Sequence, residues 1–186
     1  MVWIIILVIV VILVIFGVVG FNKLRSLNVQ VDEALGGIDV QLTRRADLIP
    51  NLVETVKGYA KHESGVFEEV TKARAQVKEA VANGTVEDRA VADAALDKAM
   101  VNVNAVAEQY PDLKASQNFI QLQGELANTE NNISFARQYY NDAVSKLNTA
   151  VVTLPWMLFK GMAGVGEREF YKAPEGQDTP PQVSFS

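Results

Sequence analysis

A chain of 186 residues has room for one domain and an appendage, and 22 acidic against 17 basic side chains leave it at net −5 with no lysine- or arginine-rich run. Duplex binding needs a cationic footprint that displaces counterions from phosphates, so nucleic acid is not an expected partner. The chain has no cysteine, which excludes disulfides and a lipidated cysteine anchor, and its one histidine, His62, excludes a Ser-His-Asp triad or a multi-histidine metal site within one chain.

The first predicted element is the stretch MVWIIILVIVVILVIFGVVGF, which carries no charged side chain. Its apolar run, residues 2–21, would span about 30 Å as a helix, the thickness of a bilayer core. A buried core helix keeps a polar face, and this segment has none; a transmembrane helix is predicted over 1–22. A cleaved signal peptide is the competing reading, but its apolar core is usually about 7–15 residues behind a basic flank. Here the run is longer and no Lys or Arg precedes it. Lys23 and Arg25 follow the span, so the positive-inside rule places the body in the cytoplasm, with Trp3 as an interfacial anchor on the opposite face. Gly17 and Gly20 are three apart rather than the four of a GxxxG dimer face, which says little about helix pairing.

Residues 23–165 read as a helical body. Leu35, Ile38, Leu42, Arg45, Ile49, Leu52, Val56, Tyr59, Glu63, Val66, Val70, Ala73, Val77 and Ala80 alternate by three and four, a heptad seam interrupted at Arg45 and Glu63. Asn83-Gly84 is expected to end it, with glycine in the helix-stopping position. Thr85 with Asp88 resembles an N-cap and its helper for a second helix over 86–109, which breaks before Tyr110-Pro111. A third helix carries Phe119, Leu122, Leu126, Thr129, Ile133, Ala136, Tyr140, Ala143, Leu147 and Ala150 at the same spacing and stops at Pro155. WMLFKGMAGVGEREFY reads as a short last helix passing into a glycine-rich turn, and 166–186 as a flexible or extended tail. No segment alternates convincingly as a strand. The expected fold is all-α: a single-pass N-terminal span and an antiparallel three- to four-helix bundle with long coiled-coil-like helices.

Arg45 stands on the most buried stripe, and Pro50 follows five residues later inside the same pattern. Proline within a helix costs about 3 kcal/mol, yet Leu42 and Leu52 stay in phase, so a kinked continuous helix is expected, with the Ala46 carbonyl freed for another donor. A buried Arg45 needs a carboxylate, and the third helix offers Glu125 and Glu130, with Asn131, Asn132 and Asn141 as further polar partners. Arg44, Arg45, Pro50, Asn51, Glu63, Glu125, Glu130, Asn131, Arg137 and Asn141 therefore form the candidate polar core or interface. In one reading Arg45 and Glu63 are polar pairs that fix helix register, within or between chains. In the other, Arg44, Arg45 and the carboxylates of the third helix line a ligand or partner groove. Trp156 and Phe159, in LPWMLF, either pack on the first helix or join Trp3, Lys23 and Arg25 at the membrane surface.

Catalytic constellations fare poorly. HESGV begins like a zinc-protease helix, but Val66 stands where the second histidine belongs, and His62-Glu63 reads as a surface or packing pair. Di-iron bundles need two Glu-x-x-His motifs. Glu125 and Glu130 are five apart and face different ways, against general acid–base pairing. GMAGVG lacks the strand and the Lys-Ser/Thr of a phosphate loop. No catalytic, cofactor-binding or metal-ligating residue is expected, and no enzymatic activity.

The blocks DVQLTRRADLIPNLVETVKGYAKHE (39–63) and YPDLKASQNFIQLQGELANTENNISFARQYYNDAVSKLN (110–148), behind one N-terminal span, closely resemble the LemA proteins of bacteria. The resemblance implies a single-pass protein of the bacterial inner membrane with a helical, cytoplasmic bundle and no agreed catalytic residues. Some members are similar to a protein of magnetosome membrane formation, which adds membrane organisation to the expectation. The function expected is a membrane-anchored scaffold that self-associates and organises membrane or partner proteins. Its alternative is a membrane-bound sensor or adaptor that couples a ligand or client to a protease or other effector, through Arg44 and Arg45 or the polar face at 128–132. The expected partners are the lipid bilayer, further copies of the chain and a membrane protein.

Overall fold

The structure, a computed structural model, describes residues 1–60 and 63–172. It is built from helix α1 (Val2–Lys57), α2 (Ser64–Asn83), α3 (Val86–Gln109), the short α4 (Pro111–Lys114), α5 (Gln117–Val152), a 3-10 turn (Trp156–Phe159) and α6 (Lys160–Ala163), with no strand among the described residues. The chain forms two compact units, Met1–Gly37 with Ala136–Phe170, and Ile38–Phe135 with the segment that begins at Tyr171.

The second unit is an up-down-up-down bundle. Lys57 of α1 lies 5.7 Å from the Phe67 ring of α2, while Arg89 at the start of α3 bonds Asp39 of α1 and the carbonyls of Val81 in α2 and of Gly84 just after it. Thus α2 runs antiparallel to α1. Asn102 of α3 reaches Glu69 of α2 at 2.7 Å, far from the tight link at 84–85, so α3 returns antiparallel to α2. Leu48 and Thr55 of α1 share a recess with Leu122 and Asn118 of α5, and Arg45 pairs with Glu130, so α5 is antiparallel to α1. The core follows the three-and-four spacing: Ile38, Leu42, Ile49, Leu52 and Val56 on α1, Val70 and Val77 on α2, Leu96 and Val103 on α3, and Leu126 and Ile133 on α5 are all buried. Each such side chain contributes about 1.5–3 kcal/mol by leaving water.

The long seam expected over 35–80 is two helices. Gly58 and Tyr59 form a turn after Lys57, and Glu63 is the N-cap of α2. The buried set departs from the expected spacing beside that turn, where Ala60 and Phe67 are buried in place of Tyr59 and Val66; Val70, Ala73, Val77 and Ala80 are buried as the spacing requires. Glu63 therefore belongs to a helix start, half-buried and without a side-chain cap bond, and not to the polar core. On α1 the buried stripe passes through Ala34 and leaves Leu35 half-buried. His62 lies outside the described residues.

Gly84 ends α2, but at φ −85° and ψ 170°, in extended backbone that any residue adopts. Its need for glycine is spatial: a Cβ there would stand 2.6 Å from the Ala80 carbonyl oxygen and 2.9 Å from the Asp88 Cβ. The next residue opens a capping box. The Thr85 hydroxyl accepts from the Asp88 N–H at 3.1 Å, and the Asp88 carboxylate accepts from the Thr85 N–H at 2.8 Å.

In the first unit, Leu24, Leu27, Val31 and Ala34 of α1 and Tyr140, Val144, Leu147 and Val151 of α5 are buried. Residues 165–170 form neither helix nor strand and are tied to α5. Tyr140 donates to the Glu169 carbonyl at 2.8 Å, and Asn148 pairs with the Arg168 backbone through both its amide atoms, at 2.9 and 2.8 Å. Arg168 also reaches Asp32 and Asn28 of α1. The described part of the tail beyond α6 is thus held by side chains of α5 and α1 up to Phe170; 173–186 lie outside the described residues.

The Thr85 backbone N–H, and then its hydroxyl, hold the Asp88 carboxyl below the ordinary aspartate pKa. A lowered folded pKa contributes stability that is present above the unfolded value and lost as pH falls through the folded one. The gap in thermal stability between the native chain and Asp88→Asn, followed by circular dichroism, is therefore expected to be full at neutral pH. It should shrink as the solution is acidified below the ordinary value of 3.8. A gap that stays constant with pH would mean that the cap does not depend on the charge.

Candidate functional site

Arg45 faces the interior of the second unit because it occupies a seam position between Leu42 and Ile49, and it is 6% exposed. Its Nη1 lies 3.1 Å from Asp93 Oδ1, its Nη2 2.5 Å from Asp97 Oδ1, and its Nη1 2.8 Å from Glu130 Oε2. The contact to Glu130 is an ion pair outside hydrogen-bond alignment. Arg45 Nε finds no hydrogen-bond partner among the described residues. Asp93 is fully buried and its other oxygen accepts from the Tyr171 hydroxyl at 3.1 Å. Asp97 and Glu130 keep about a third of their side-chain surface in water, which relieves the cost of gathering three carboxylates around one cation.

A second buried arginine stands one turn before Asp93 on α3. Arg89 meets Asp39 in a two-pronged pair, Nε to Oδ1 at 2.6 Å and Nη2 to Oδ2 at 3.0 Å. It also donates to the carbonyls of Gly84, Thr85 and Val81, satisfying acceptors that the end of α2 leaves open. The two sites lock register. Along α1 the order is Asp39 then Arg45; along α3, which runs parallel to it, the order is Arg89 then Asp93 and Asp97. Asp39 to Arg45 spans about 9 Å of helix, as does Arg89 to the midpoint of Asp93 and Asp97. Sliding α3 by that distance would set Arg89 against Arg45.

Pro50 sits inside α1, on its exposed side, and the helix continues through it. The Ala46 carbonyl, which loses its intrahelical donor at Pro50, accepts from Arg74 Nε of α2 at 2.9 Å. Lys78 makes a neighbouring pair with Asp47 at 2.9 Å, but both are largely exposed and such pairs contribute little.

The other sequence-predicted residues scatter. Arg44, Asn51, Asn131 and Asn132 are exposed, and Glu125 is half-buried away from Arg45. Asn51 and Glu125 line an open recess of about 520 Å³ with Leu48, Glu54, Thr55 and Leu122. Arg137 and Asn141 are half-buried on the part of α5 that belongs to the first unit. In that unit Trp3, Lys23 and Arg25 are exposed, while Trp156 and Phe159 are half-buried against α1: Phe16 stacks on Trp156 at 6.3 Å and meets Phe159 edge-on at 5.4 Å. Sequence reasoning missed Asp93, Asp97, Arg89, Asp39, Arg74 and Tyr171. The signal for two of them was present: Arg89, Asp93, Leu96, Met100, Val103 and Ala107 are spaced by three and four and all buried, so the same interruption that exposes Arg45 also marks α3.

The arrangement positions and crosslinks helices; its charged groups face one another rather than a cleft. The sequence profile described as the LemA family matches residues 34–185. Magnetosome proteins MamQ 1 and MamQ 2 of Paramagnetospirillum magneticum are each 22% identical to this chain over 183 residues, covering 86% of it and 67% of the relative. Magnetosome protein MamQ of Magnetospirillum gryphiswaldense is 21% identical over 189 residues, covering 88% of this chain and 70% of its own.

Two stability measurements on the full chain in detergent test the site. Arg45→Ala strands a buried carboxylate and is expected to cost about 3–5 kcal/mol, while Arg44→Ala stays within about 0.5 kcal/mol. Arg45→Lys should rescue little, since one ammonium does not present the fork that meets all three acids. In a double-mutant cycle, Arg74→Ala should cost about 1–3 kcal/mol by orphaning the Ala46 carbonyl. It should cost less in a Pro50→Ala background, where the backbone N–H of residue 50 supplies that carbonyl. Additive costs would mean that Arg74 acts elsewhere.

Proposed function

Since this chain belongs to the LemA family, we propose that it is a membrane-anchored helical scaffold that self-associates and organises membrane or partner proteins without catalysis. The observation that carries this reading is the contrast along α1. Every large apolar side chain from Val2 to Phe16 is exposed, from Phe16 at 39% to Trp3 at 82%, whereas from Leu24 onward one stripe is buried. An apolar surface of that length is unstable in water, and it matches a bilayer in length and composition. In this reading the span sits in the bacterial inner membrane and Lys23 and Arg25 keep the body on the cytoplasmic side. The core arginines are consumed in internal pairs, which suits a rigid body. Ile120 and Phe135 of α5, 58% and 70% exposed, are apolar anchors for a neighbouring copy.

One observation favours the sensor or adaptor reading, namely the polar recess at Asn51 and Glu125. Side chains from two helices converge there on a concave surface, and its polar lining suits a small polar ligand or a client segment.

The intact mass of the full chain in mild detergent separates the two. A discrete oligomer that loses copies in Phe135→Glu, with helix content unchanged, is the expected result. A monomer for both proteins would overturn the scaffold and leave the adaptor.

A further inference from the structure

The end of α5 leads into a second apolar element that the span alone does not explain. Residues 154–162, LPWMLFKGM, fold as a turn, the 3-10 segment and the start of α6, and lie against α1 within the first unit. Leu154, Leu158 and Met162 are 65–70% exposed, and Met157 is partly so. From Ala143 to Gly166 the chain has no acidic residue, and its only charges there are Lys146 and Lys160. A water-facing loop rarely carries four outward apolar side chains without an acid among them.

Its position on α1 is fixed by shape. A Cβ on Gly20 would overlap three ring carbons of Phe159, so the glycine is the socket for that ring. Phe16 holds Trp156 and Phe159 from the other side. Phe16 precedes Lys23 by seven residues, about 10 Å of helix. Further along, Met162 and Phe159 form one wall of an open apolar groove of about 570 Å³, whose other wall is Val10, Leu13, Val14 and Val18 of α1. Whatever solvent surrounds residues 10–21 therefore surrounds this element as well.

We propose that residues 154–162 are a second membrane-embedded element, a wedge in the leaflet that holds residues 10–21 of α1, and that lipid acyl chains fill the groove between the two. The proposal rests on the reading of α1 as a membrane span. The occupant is lipid because the groove is continuous with the exposed apolar surface of the span and almost wholly apolar in its lining. Lys160, exposed on the wedge, has the length to carry its ammonium to the headgroups. An interfacial wedge beside a single span widens one leaflet only, which is the geometry of a protein that bends or orders the membrane around it.

The chain has no cysteine, so single thiols report without background. Leu158→Cys, Val8→Cys and Lys72→Cys replace exposed residues of the wedge, the span and α2. Each full-length variant is spin-labelled, reconstituted into phosphatidylcholine–phosphatidylglycerol vesicles, and its collisions with oxygen and with a water-soluble nickel chelate are compared. The expected result is an oxygen-dominated label at 158, as at 8, and a nickel-accessible label at 72. A label at 158 that behaves like the one at 72, while the one at 8 stays oxygen-dominated, overturns the wedge and spares the span. Nickel access at 8 overturns the span, and the wedge with it. A label at 158 that neither reagent reaches overturns the lipid-facing wedge: protein, a second copy of the chain, then covers residues 154–162 in place of lipid.

Discussion

A guanidinium withdrawn from water must be met by opposite charge, and Arg45 meets three. That one demand ties α1 to α3 and α5 at a single level of the second unit, through Asp93, Asp97 and Glu130. An apolar heptad seam tolerates sliding by a whole turn at modest cost, since one leucine replaces another. A charged pair does not, because a displaced partner leaves a buried ion unmatched. With Asp39 and Arg89 arranged in the opposite sense beside it, the bundle has two crosslinks whose signs agree in one register.

The remaining polar contacts follow the same logic on the backbone. Pro50 removes one donor from α1, and α2 returns one from Arg74 to the carbonyl so vacated. The end of α2 leaves open carbonyls, and Arg89 of α3 fills them. Tyr171, well past the last long helix, donates its hydroxyl to Asp93. A chain segment that reads as tail in composition is thus part of the core in fact, because a phenol hydroxyl is among the few donors able to enter an apolar interior and still bring its own ring surface.

α1 also changes solvent along its length. Up to Val19 its apolar side chains are exposed all round, and beyond Leu24 a single stripe is buried while charged residues take the other faces. Gly20, at the boundary, is small because an aromatic ring occupies the place of its side chain. Of two glycines at a spacing uninformative about helix pairing, one thus has a use within the chain: Gly20 admits the Phe159 ring, whereas a Cβ at Gly17 would only touch it, 3.9 Å away.

Much of this was legible in sequence, and the division has a physical cause. Periodicity and caps act within a few residues, so the apolar run of the span, the seams of α1, α2 and α5, the Thr85–Asp88 cap and the break at Tyr110-Pro111 could be read directly. So could the fact that Arg45 required an acid and that the Ala46 carbonyl was free. Which groups answered was decided only by tertiary structure. Asp93 is 48 residues from Arg45 and Arg74 is 28 from Ala46, and local spacing says nothing of which helices become neighbours. The turn at Gly58 and Tyr59 also escaped, since the apolar pattern runs past it in phase and only packing buries Ala60 and Phe67 beside it. Sequence alone therefore determined the elements and their unmet needs. The fold decided the partners, because ion pairing acts through space and helix propensity acts along the chain.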